Sequence, residues 1–115
     1  MREKIERYKK RLIRKAKALI EEIEKDKKEF EKRYKETHIK PDGYVLKENL
    51  IIFDEEIEAV KNFKDWIKNY NPEEAKSVEE FKSSVLDALE KMYQELTRLR
   101  AGIRMVMETV KSTFV

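Results

Sequence analysis

Apolar positions recur with a helical period along almost the whole chain. Ile5, Leu12 and Leu19 fall seven residues apart, as do Ala16, Ile23 and Phe30, and Tyr8, Ile20 and Tyr34 flank the same stripe. Such spacing marks an amphipathic helix that buries one face. Arg2 to Glu36 contains no glycine or proline, so the pattern predicts one unbroken helix of roughly 50 Å at about 1.5 Å per residue. Asp26 interrupts the stripe. It reads either as a polar residue that sets register or as the point where the partner helix thins out.

Pro41-Asp42-Gly43 then reads as a turn, since proline presets φ and glycine tolerates a positive one. Tyr44-Val45-Leu46 and Leu50-Ile51-Ile52-Phe53 are two short apolar runs around Lys47-Glu48-Asn49, a pattern that fits a small hairpin. Leu46, Leu50, Phe53, Ile57 and Val60 also keep helical spacing. The reading favoured is a loop or hairpin up to Phe53, with Asp54 as N-cap of a second helix. That helix carries Ile57, Val60, Phe63, Ile67 and Tyr70 on one face, with Trp66 at its edge, and Asn71-Pro72 ends it. Pro72-Glu73-Glu74 has the composition of one further helical turn.

Ser77-Val78-Glu79-Glu80 is a capping box, the strongest local signal in the chain. From there Val85, Met92, Leu99 and Val106 share one heptad position and Leu89, Leu96, Ile103 and Val110 another. The spacing predicts a third helix running to about Lys111 with a coiled-coil-like seam. Gly102 is either a weak point of about 1 kcal/mol against alanine or the site of a close helix crossing. The expected fold is therefore all-α, an antiparallel bundle of three main helices (long, short, long) with an irregular connector or small hairpin around 40–53, forming one domain over residues 1–115. The unequal helices leave apolar stripe without a partner, so a homo-oligomer is expected, with a dimer favoured.

Composition sharpens this picture. Charged residues make up 44% of the chain, well above the usual quarter. The signs nearly cancel, at 27 basic against 24 acidic, and the apolar period argues for a folded chain rather than a disordered one. Lys, Glu and Arg abound while Gln occurs once, a profile that suits a thermophilic protein. Cysteine is absent, which excludes disulfides, thiol catalysis and cysteine-based zinc sites. No apolar run is long enough for a membrane span. The charged N-terminus has no signal-peptide core, and a cytoplasmic protein is expected.

Charge is unevenly spread. Residues 1–17 hold nine basic residues against two acidic, a surplus of seven; residues 42–80 hold five against eleven; residues 91–115 hold five against two. Lys4, Arg7, Arg11 and Arg14 step along one flank of the first helix, and Tyr93, Arg100, Arg104 and Lys111 share a flank further on. Cations beside an aromatic ring suit a surface that tracks a nucleic-acid backbone. Solvated faces, ion pairs to the acidic middle, or attraction between copies explain the same pattern. An amphipathic basic helix on an anionic membrane surface is a further reading.

Chemistry is thin. Arg33 and His38 form Arg-x4-His, which resembles the motif of the HEPN-domain ribonucleases, small helical bundles. The resemblance covers two residues. It implies that both serve RNA cleavage, but the motif closes the first helix here instead of lying near the last. The simpler role for His38 is to meet the last carbonyls of a helix. Glu21-Glu22-Ile23-Glu24 and Glu55-Glu56-Ile57-Glu58 place carboxylates on one face of each of two helices, a spacing similar to the Mg²⁺ pairs of MazG-type pyrophosphohydrolases. The Glu-x-x-Asp of their second motif is missing. No catalytic residue, metal or cofactor is assigned. Ile103, Val106, Met107, Val110 and Phe114 give the last helix more apolar girth than one groove needs, marking either core or a protein interface. The expected function is a non-enzymatic helical assembly or adaptor protein acting through those residues. The alternative is nucleic-acid binding through Lys4, Arg7, Arg11, Arg14, Arg100 and Arg104.

Overall fold

The long apolar stripe of the N-terminal segment folds as α1, Arg2–Glu36, with Ile5, Leu12, Ala16, Ile20 and Ile23 turned into the core. The structure, a computed structural model, describes residues 2–36, 43–95 and 100–114, with side chains for 2–33, 49–95, 100 and 102–114. Four α-helices lie within these residues: α1, α2 (Gly43–Asn69), α3 (Val78–Glu95) and α4 (Arg100–Thr113), with a 3-10 turn at Pro72–Glu74 between α2 and α3. They pack as an all-α bundle in which α1 lies chiefly against α2, and α4 against α2 and α3.

Two expectations are corrected. Residues 43–53 are neither connector nor hairpin: they are the first turns of a 27-residue α2. The helical spacing of Leu46, Leu50, Phe53, Ile57 and Val60 prevails over the alternation of apolar and polar runs, because no proline or glycine follows Gly43 to break it. Asp54 is accordingly no N-cap but an interior residue of α2, and its carboxylate accepts a hydrogen bond from Lys27 of α1 at 2.7 Å. The third helix also does not run unbroken to Lys111. It divides into α3 and α4, and α4 folds back: Phe81 near the start of α3 meets Phe114 just after α4, with ring centroids 5.9 Å apart. Val85 and Leu89 thereby share one core with Ile103, Val106 and Val110. The seam buries itself within the chain instead of waiting for a partner helix. Leu96 and Leu99 lie outside the described residues.

Cross-contacts fix the directions. Lys9 of α1 donates to the carbonyl of Tyr70, just past the end of α2, while Phe30 meets Phe53 at 5.9 Å; α1 and α2 are antiparallel. Lys9 is buried, and its ammonium meets the carbonyl end of α2, where a cation is favoured. At the same end of the core, Tyr8 stacks on Phe114 at 4.7 Å, and two turns further along α1 Lys15 donates to Thr113 at 2.9 Å, so α4 is antiparallel to α1. The aromatic contacts continue from Phe81 to Tyr70 at 5.1 Å and from Tyr70 to Trp66 at 5.4 Å. One chain of rings thus ties all four helices together. Each such pair contributes about 0.5–1.5 kcal/mol beyond its burial.

Two local signals perform as their chemistry requires. Ser77 accepts from the Glu80 amide at 3.0 Å, and Glu80 reaches back to the amide of Lys76 at 3.3 Å, one residue before the cap. Asn71 caps the 3-10 turn through the Glu73 amide at 3.0 Å.

Gly102 is a crossing point. A Cβ there would stand 2.6 Å from the Ala59 Cβ and 2.8 Å from the Glu56 Cα, so only glycine lets α4 approach α2 this closely. The substitution Gly102→Ala gains about 1 kcal/mol of helix propensity but forces backbone apart, at about 1–3 kcal/mol. A net loss of stability is expected in urea unfolding, and a stabilised variant would contradict the crossing.

Candidate functional site

The residues singled out as a protein interface turn out to face inward. Ile103, Val106 and Val110 are fully buried in the chain's own core, covered by α2, α3 and α1. Met107 and Phe114 are partly buried against that core. The apolar girth of the last helix is used up because α4 has neighbours on three sides. A charge at Val106 would therefore disturb the fold of one chain, not an interface between chains.

The cationic candidates are all exposed, but they form two groups and not one. Lys4, Arg7, Arg11 and Arg14 project from α1, with Arg11 over the ring of Tyr8 at 5.7 Å. Arg100 and Arg104 belong to α4 and lie over Tyr93 of α3, at 5.2 and 6.0 Å from its centroid. Arg100 also donates to the Tyr93 carbonyl at 3.3 Å, and Arg104 donates to the Tyr93 hydroxyl at 3.4 Å. The second group therefore braces the α3–α4 pair.

His38 lies outside the described residues. Among the described residues no group of three or more acidic or histidine side chains is placed to hold a metal ion, and no helix is long and apolar enough to cross a membrane. Burial, together with the nearby charge of Asp26, raises the carboxyl of Glu56 above its ordinary range. Asp26, the interruption in the α1 stripe, is exposed.

Two surface features escaped the sequence pattern. The first is a cleft of about 700 Å³ where the end of α2 and α3 diverge; Trp66, Tyr70 and Met92 line it, with Glu74, Asp87 and Glu95 among its charged residues. It depends on how α3 leaves the end of α2 after the 3-10 turn, an angle that residue spacing does not give. The second is an arm. Among the described residues, none between Ile23 and Ala59 is buried. The later turns of α1 and the first turns of α2 thus run on beyond the core as a two-helix hairpin, in a molecule 58 Å long and only 25 by 22 Å across. On this arm Ile51 and Ile52 are 49% and 47% exposed. A helical reading of residues 44–53 was the signal that would have revealed it.

Comparison with protein-family models, with curated proteins and with solved structures gives no match in any of the three.

The environment of Glu56 has a pH consequence. Its folded-state pKa lies above the unfolded value, so the stability it contributes is present below the unfolded pKa and lost as pH rises through the folded one. At neutral pH the carboxylate is held in a place that disfavours charge. The variant Glu56→Gln should unfold at higher urea than the parent at pH 7, and that advantage should shrink as pH falls through the carboxylate range. An equal gain at both ends of the range would contradict the assignment.

Proposed function

We propose that the chain is a non-enzymatic helical assembly protein, acting through protein–protein contacts, whose first contact is with a second copy of itself along the α1–α2 arm. The observation that carries this reading is the absence of any described buried residue between Ile23 and Ala59, together with the exposure of Ile51 and Ile52 there. Helices owe most of their stability to packing of an apolar face. Among the described residues, that packing comes from four helices over the core and from two over the arm.

A second copy supplies what is missing. In an isologous pair the same surface meets itself, so two arms together make a four-helix cross-section. Charge favours laying α2 of one arm beside α1 of the other. In the arm, residues 43–58 of α2 hold one basic residue against five acidic, while residues 24–36 of α1 hold six basic against five acidic. Arms running in opposite directions with α2 of each against α1 of the other set the acidic stretch of each copy beside the more basic stretch of its partner. Ile52 lies two helical turns from Ala59 on the side of α2 that α4 covers further down, so the stripe continues past the end of α4.

Sedimentation equilibrium tests the reading. The parent chain is expected at twice its 13.9 kDa mass at micromolar concentration, and Ile52→Asp at the single-chain mass with unchanged helical circular dichroism. Ile52 is exposed within one chain, so the charge does not threaten the core. A parent that stays monomeric, or a variant that still pairs, would overturn it.

A further inference from the structure

We propose that the outward face of α1 grips the phosphate backbone of a nucleic-acid duplex without reading its bases. Lys4, Arg7, Arg11 and Arg14 are all exposed there. Lys4 and Arg11 are two turns apart, as are Arg7 and Arg14, so two short rows of cations run side by side over about 15 Å. They belong to the stretch with seven surplus positive charges.

Glu3 and Glu6 lie near Arg7, but no close ion pair among the described residues takes up these four cations. The ion pairs formed between described residues are Arg2 with Glu73 at 2.9 Å and Lys27 with Asp54 at 2.7 Å. They sit on either side of the four cations and take none of them. Cations in a row release the counterions of a polyphosphate when they bind it, which is the main source of sequence-independent affinity.

Two observations choose among polyanions. An interfacial helix must sink its apolar face among lipid chains. The apolar face of α1, Ile5, Leu12 and Ala16, is buried inside the bundle, so a lipid surface gains nothing from it. Proteins that hold single strands stack bases on free aromatic rings. Here Tyr8 has Phe114 stacked against it at 4.7 Å and Arg11 over its ring, and Tyr93 carries Arg100 and Arg104. With those rings engaged, the contact is to backbone alone. A duplex, with one charge per about 1.7 Å of axis, is the denser phosphate array.

The test is fluorescence anisotropy with two labelled DNA duplexes of unrelated sequence, titrated from about 50 to about 200 mM salt. Four phosphate contacts give a slope of log affinity on log salt near −3.6, expected to be the same for both sequences. Arg7→Glu with Arg11→Glu should weaken binding at least about tenfold and flatten the slope by about two. The milder pair Lys4→Gln with Arg14→Gln should flatten it similarly, which guards against a folding defect in the first variant. The proposal falls if the parent fails to bind at about 50 mM salt, if either double variant binds like the parent, if one sequence is strongly preferred, or if the chain sediments with anionic phospholipid vesicles while leaving the duplexes free.

Discussion

The close approach of α4 to α2 at Gly102 decides where the bundle ends. With no side chain between them, the backbone of α4 sits on Ala59 and Glu56. From there α4 runs beside α2 towards Phe114, and one core, from Ile5 of α1 to Val110 of α4, fills the space between the helices. Beyond Gly102, among the described residues, no buried residue lies between Ile23 of α1 and Ala59 of α2. The division of the molecule into a packed body and an open arm is thus a consequence of one crossing. Rings close the body at its far end, through Tyr8, Phe114, Phe81, Tyr70 and Trp66. Glycine tightens it at the near end. Between these two fixtures the core needs only residues of the right size, since packing tolerates exchanges that conserve volume.

This division also sorts the charge. In the body, Lys9 and Lys15 of α1 turn inward and find oxygens on Tyr70 and Thr113. The remaining cations of the first turns stay outside, with described ion pairs only at Arg2 and, far along the helix, at Lys27. Asp54 holds the Lys27 ammonium above its ordinary pKa range, mainly by their hydrogen bond, although an exposed pair of this kind contributes little to stability. The arm thus offers apolar surface and the outer face of the body offers cations. The two proposed contacts use different parts of the molecule and do not compete.

How much of this was legible in the sequence depends on whether the deciding signal was local. The stripe of α1 from Ile5 to Ile23, the Ser77 capping box and the stop at Asn71-Pro72 depend on residues a few positions apart, and each has its counterpart in the structure. Gly102 was readable as a crossing because glycine inside a strong helical pattern invites that explanation. The fold-back of α3 and α4 was hidden, since the heptad pattern passes through Leu96 and Leu99 without a breaking residue. A continuous seam and a seam folded on itself share one spacing, and only the distant pairing of Phe81 with Phe114 distinguishes them. That ambiguity also misplaced the candidate interface. Ile103, Val106 and Val110 appear surplus on a single long helix, yet they are core residues once α4 returns along the bundle. Residues 44–53 satisfied both a strand and a helix period, and the unbroken run after Gly43 favours the helix. The exposed cations of α1 were visible from their spacing, but their separation from Arg100 and Arg104 was not, because it depends on which helices lie side by side.

The chain has no cysteine of its own, so a single engineered one can carry a spin label at a chosen site. Pulsed dipolar spectroscopy on Glu55→Cys, on the arm, and separately on Ser83→Cys, on the body, measures label separations between copies. If two arms pair antiparallel, the Glu55 labels should show a short, well-defined distance and the Ser83 labels a much longer one, because the bodies then lie at opposite ends. A short distance between Ser83 labels with none between Glu55 labels would place the contact on the body and contradict the account.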